Sequence, residues 1–190
     1  SNSASAYTLT ADAAGLTQGT LALTVQAASV AKLVLSVGSS SITAGNCSGA
    51  ITVTSKDTYD NTSAVAGLTA VTLGGAGAGS FYSDNACTAT TSSVNIAAAS
   101  SSVVVYYKSN SASAYTLTAD SAGLTQGTLA LTVNAAAVSK LVLSVGSATI
   151  TAGSCSGAIT VTSKDTYNNT SAVSGLTAVT LGGAVAGSFY

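Results

Sequence analysis

Few side chains in this sequence could do chemistry. Cysteines stand at Cys47, Cys87 and Cys155, six aspartates supply every carboxylate side chain, and five lysines supply every basic one. There is no His, Arg, Glu, Met, Trp or Pro among the 190 residues. General-base catalysis draws mostly on His and Glu, and a Ser-His-Asp triad cannot be assembled without His. The chain is therefore expected not to be an enzyme and to carry no catalytic residue, cofactor or metal. A net charge of −1 leaves no basic stripe to neutralise phosphates, so nucleic acid is not an expected partner. Attraction to anionic lipid is missing for the same reason. No apolar run approaches the roughly 20 residues of a spanning helix, so direct membrane insertion is not expected either.

Cys47 and Cys87 lie forty residues apart and are expected to form a disulfide. Closing a loop of that size stabilises a fold by roughly 3 to 4 kcal/mol in the chain-entropy view. Persistent disulfides belong to oxidising compartments, so an extracellular or cell-surface location is expected. The alternative is that the two thiols ligate a metal, which needs two more good donors where no His exists. Asp57 with Asp60, and Asp12 or Asp120, could offer oxygens to calcium, which wants six to eight of them; ordinary capped turns are the plainer reading. Lys32 and Lys140 could cross-link to an Asn beside a desolvated acid, or simply be solvated. N-glycosylation patterns occur at Asn46-Cys47-Ser48, Asn61-Thr62-Ser63 and around Asn168-Asn169-Thr170. Asn61 and Asn169, in turns, are the exposed candidates.

Positioning these residues falls to a repeated unit. SNSASAYTLTADAAGLTQGTLALTV at Ser1 returns with one change at Ser109, a period of 108 residues. Residues 1–82 and 109–190 agree at 72 of 82 positions, and most of the ten exchanges are between small or similar side chains. Gly77 against Val185 is the exception in size. A fixed period of one domain's length marks an array of like folds. Cys155 repeats Cys47, so its partner is expected outside the chain.

Within one period, apolar residues alternate in short segments separated by Gly, Ser, Asn and Asp. They are Leu33-Leu35-Val37, Ile51-Val53, Val71-Leu73, Val94-Ile96, residues 103–107, Tyr115-Leu117 and Leu129-Leu131-Val133. Period-two alternation over such lengths predicts strands with one buried face. Seven of them fit an all-β, seven-stranded immunoglobulin-like sandwich. Residues 1–29 then read as the C-terminal strands of a split domain, 30–136 as a complete domain, and 137–190 as the N-terminal strands of a further one. The 26 residues matching 83–108 would round the chain to two periods. An excerpt from a longer array explains this register; so does a domain completed between successive chains, as when an added strand pairs with an open sheet edge. Identical chains associating head to tail are the expected partner.

The stretches AKLVLSVG, AGNCSGAITVTSKDTYDNTSAV, GSFYSDNACT and AYTLTADSAGLTQGTLALTV resemble the tandem immunoglobulin-like repeats of large bacterial surface proteins, of the invasin and intimin type. That resemblance implies an extracellular filament or an adhesin stalk, with any host or surface ligand bound through other domains. In such repeats a Gly-Asn, often with Pro, follows the second strand. Here Asp60-Asn61 and Asn168-Asn169 stand in its place, residues that tolerate the left-handed backbone a turn needs.

Overall fold

The computed structural model describes residues 1–183 and 187–190; Val185 lies outside them. Contacts divide the chain into two units, Ser1–Asn134 and Ala135–Tyr190.

The first unit contains twelve strands. They are β1 (Ser5–Ala11), β2 (Gly19–Val25), β3 (Lys32–Val37), β4 (Ser41–Thr43), β5 (Ile51–Lys56), β6 (Thr69–Gly74), β7 (Ser80–Tyr82), β8 (Thr90–Thr91), β9 (Ser93–Ile96), β10 (Ser102–Lys108), β11 (Ser113–Asp120) and β12 (Gly127–Asn134). Strands β3 to β12 form two five-stranded sheets, ordered β3-β5-β10-β7-β8 and β4-β12-β11-β6-β9. Ladders are antiparallel except for β4, which runs parallel to β12 with Ile42 opposite Val133. The architecture is an all-β, immunoglobulin-like sandwich.

Alternation explains the layers. In β5, Ile51, Val53 and Ser55 are buried while Thr52, Thr54 and Lys56 turn partly outward. The inner faces meet in one cluster, with Leu33, Ile51, Val105 and Tyr107 from one sheet and Val71, Leu117, Leu131 and Val133 from the other. Tyr107 sits at its centre, its ring 5.6 Å from those of both Phe81 and Tyr115. Its hydroxyl donates to the carbonyl of Ala76 at 2.7 Å, so the buried phenol has a partner. Burial pushes that hydroxyl's pKa up.

Seven strands were expected and ten form the sandwich. The additions, β4, β7 and β8, are two or three residues long. Runs so short carry no readable alternation; they exist because a neighbouring strand offers a ladder to join.

The hairpin β1–β2 pairs Ser5 with Val25 through to Ala11 with Gly19. The second unit holds β13 (Lys140–Val145) and β14 (Ile159–Lys164), antiparallel from Lys140 opposite Lys164 to Val145 opposite Ile159. Three strands were expected there. Residues 177–182, which repeat β6, are described but form no strand. In the sandwich β6 is held between β11 and β9, and the second unit contains no copy of either.

Candidate functional site

Asp57 lies in the loop after β5 and is fully buried, not exposed in a turn. One oxygen, Oδ1, accepts from the backbone N–H groups of Tyr59 and Asn61, both at 2.9 Å. The other, Oδ2, accepts from Ala28 N–H at 2.9 Å and from the Asn61 side-chain amide at 2.8 Å. Ala28 belongs to the segment joining β2 to β3, so one carboxylate ties that linker to the loop. Ser63 completes the tie by donating to the Ala28 carbonyl at 2.6 Å. Asn61 also reaches the hairpin: its amide donates to the carbonyl of Asn2 at 2.8 Å, and its Oδ1 accepts from Ala4 N–H at 2.9 Å. Loop, linker and hairpin therefore share one hydrogen-bond network. Burial raises the Asp57 pKa, but the bonds from Asn61, Ala28 and Tyr59 outweigh it and hold the carboxyl below its ordinary value.

The second unit repeats the cap. Asp165 accepts from Ala136, Tyr167 and Asn169 N–H groups and from the Asn169 amide, and Ser171 donates to the Ala136 carbonyl. Burial and the same competing bonds leave its pKa lowered too. Asp60 and Asn168 adopt positive φ, 70° and 74°, a backbone that both residue types accept; this is why their exchange leaves the turn intact. Asp60 additionally pairs with Lys32 at 2.8 Å. That exposed pair is worth little.

These contacts define the surroundings of the two glycosylation candidates. Asn61 and Asn169 are partly buried, and the nitrogen that would carry a sugar is already donating to Asp57 or Asp165. A glycan on Asn61 would break the link to the hairpin. Each turn also exposes a large aromatic side chain, Tyr59 or Tyr167.

Cys47 and Cys87 are joined by a disulfide with Cα atoms 5.8 Å apart. The loop that presents Cys87 is organised by Asp84, whose carboxylate accepts from the N–H groups of Ala86, Thr88 and Ala89. Cys155 is free and exposed. Among the described residues no cluster of three or more metal-ligating side chains occurs, and Asp12 bonds to Gln18.

Sequence reasoning missed the Asp57 network. An Asp four residues before an Asn, directly after a strand, appears in both copies. That spacing is the available signal, since Asx side chains cap their own turns.

A second feature is apolar surface left open. Leu9 is 49% exposed while its copy Leu117 is fully buried, and Ile159 is 44% exposed while its copy Ile51 is fully buried. Leu21, Leu23, Leu141 and Leu143 are exposed as well. Monomeric proteins rarely leave such contiguous apolar faces uncovered.

No family model matches the sequence, and no curated protein matches it. Solved structures do. A glycosyl hydrolase family 2 member from Bacteroides cellulosilyticus is similar over 61% of this chain and 16% of its own, with 20% identity and a TM-score of 0.46. A β-glycosidase from Bacteroides vulgatus is similar over 60% of this chain and 15% of its own, with 17% identity and a TM-score of 0.46. Domains 1–6 of the surface layer protein SbsC are similar over 83% of this chain and 19% of theirs, with 19% identity and a TM-score of 0.39. The chain thus spans about a sixth of the length of the hydrolases it resembles. Their presence corrects one expectation. The sequence was read as excluding an enzyme, yet β-domains of this kind are found in glycosyl hydrolases, so that exclusion is withdrawn.

Proposed function

We propose that the chain is a structural segment of an extracellular filament built from tandem immunoglobulin-like domains. In this reading residues 1–29 close one domain, 30–136 make a whole one, 137–190 open the next, and successive chains associate head to tail. The observation that carries it is the exposure of Leu9, Leu21 and Leu23 on the hairpin and of Leu141, Leu143 and Ile159 on β13–β14. In the complete sandwich the copies of these two surfaces cover each other around one core. The low charge leaves little repulsion between copies. The disulfide favours an oxidising location outside the cell.

Sedimentation of the purified chain over a range of concentrations, with electron microscopy of the same samples, tests this. Linear oligomers should appear as concentration rises, and Leu9→Asp with Leu23→Asp should abolish them. A chain that stays monomeric at every concentration overturns the filament.

The network around Asp57 and Asn61 favours a second reading, a stalk of a large bacterial cell-surface adhesin of the invasin or intimin type. By tying linker and hairpin to one loop, it stiffens the passage from one repeat to the next, as a stalk requires. A monomeric chain whose junction stays rigid in solution scattering would favour the stalk.

A further inference from the structure

We propose, resting on the reading of residues 137–190 as an open half-sandwich, that this part forms an acceptor groove for a segment of a second polypeptide. The segment is of the kind found in residues 83–108, a cysteine-bearing loop that leads into a last strand equivalent to β10, with Cys155 as the thiol that locks the cysteine of that loop.

A groove of about 580 Å³ lies within the second unit, lined among others by Cys155, Ser156, Ile159, Leu181 and Phe189. The copies of four of these walls hold residues 83–108 in the complete sandwich. Ile51, the copy of Ile159, pairs with Val105 of β10. Phe81, the copy of Phe189, pairs with Tyr107 and meets its ring edge-on. Ser48, the copy of Ser156, donates its N–H to the Tyr107 carbonyl at 2.8 Å and accepts the Tyr107 N–H on its hydroxyl at 2.9 Å. Cys47, the copy of Cys155, is bonded to Cys87.

Backbone chemistry adds an independent reason. Among the described residues the only strand that pairs with β14 is β13, and its other edge is engaged at Ser163 and Lys164 by residues 170–171 but not along Ile159–Thr162, whereas its copy β5 lies between β3 and β10. An edge strand with unpaired N–H and C=O groups accepts an added strand through main-chain bonds, while side-chain pockets choose which one. The register follows from the sandwich: Val105 opposite Ile159, Val103 opposite Val161, antiparallel. Val105 and Tyr107, fully buried in β10, would fill the groove.

The lock is a thiol oxidation. The Cys155 thiol and the incoming cysteine thiol lose two protons and two electrons as one S–S bond forms. A small disulfide such as oxidised glutathione takes them up by exchange and leaves as two thiols.

The test adds a synthetic peptide of residues 83–108, isotopically labelled, to the full chain in a glutathione redox buffer. Intact mass should show a one-to-one adduct that reductant removes, and peptide mapping should place it on Cys155. A scrambled peptide that keeps its cysteine should give about tenfold less adduct. Peptide with Val105→Asp and Tyr107→Asp should fail likewise. The Cys155→Ser chain should lose the adduct but keep non-covalent binding, seen as slowed hydrogen exchange at residues 159–162. Equal capture of the scrambled peptide, or no added protection at β14, overturns the groove. Capture without self-association of the chain leaves the groove standing and removes the filament; self-association without capture does the reverse.

Discussion

Hairpin β1–β2 and strands β11–β12 are almost the same polypeptide, residues 5–25 and 113–133 differing only at Ala13 and Ser121. Both form the same ladder, with Tyr7 opposite Leu23 in one and Tyr115 opposite Leu131 in the other. Yet Leu9 faces solvent where Leu117 is sealed, and Leu23 where Leu131 is sealed. Identical local sequence therefore yields identical pairing but different burial. Strand pairing needs only the neighbour across a short turn, while burial needs a second sheet.

The sharpest way to break this comparison is a paired truncation. Leu117→Ala should destabilise the sandwich by about 2 to 5 kcal/mol, through lost transfer energy and the cavity left behind. Leu9→Ala should change the isolated chain by less than about 0.5 kcal/mol. Urea unfolding of both variants measures the difference, and equal losses would mean that the hairpin is already covered.

Cysteines give the next contrast. Cys47→Ser removes a cross-link closing a 40-residue separation and should cost roughly 4 kcal/mol. Cys155→Ser should leave thermal stability unchanged, because its thiol is free and exposed. Calorimetry on the two variants checks both.

Glycines sharpen it further. A Cβ on Gly127 would lie 2.6 Å from Leu35 Cδ1 and 2.7 Å from the Leu33 carbonyl oxygen, whereas one on its copy Gly19 meets nothing closer than 3.9 Å. Gly127→Ala should therefore cost about 1 to 3 kcal/mol by overpacking, and Gly19→Ala should be neutral within about 0.5 kcal/mol. Chemical denaturation separates the two.

The smallest effect is on pH. Asp57, Asp84 and Asp165 have folded pKa values held below the ordinary 3.8. The unfolded chain consequently takes up protons before the folded one. The stability these groups lend is complete above the unfolded pKa and disappears as pH falls through the lower folded values. No His or Glu is present, so the melting temperature should be flat from about pH 5 to 8 and drop only below about pH 4. Asp57→Asn should flatten the acid limb when followed by circular dichroism.

Much of the fold was legible because its signal is local. Leu33 with Leu35, Ile51 with Val53 and Leu129 with Leu131 alternate clearly enough to name their strands. The short edge pieces β4, β7 and β8 were not legible, since their ladders are supplied by distant partners. Of the junction, the turn was readable from Asp57 and Asn61, but not that Asp57 is buried or that it holds Ala28. Those contacts span 29 residues in the chain and depend on how the linker crosses the loop.

What the sequence determined by itself is the alternation, the 108-residue period and the turn chemistry, because each depends on neighbours a few residues away or on simple identity. Which copy of a leucine is inside, and whether residues 69–74 or their repeat at 177–182 become a strand, was decided only by tertiary structure. Burial and edge pairing are properties of two surfaces meeting, and the same residues can bring only one of them.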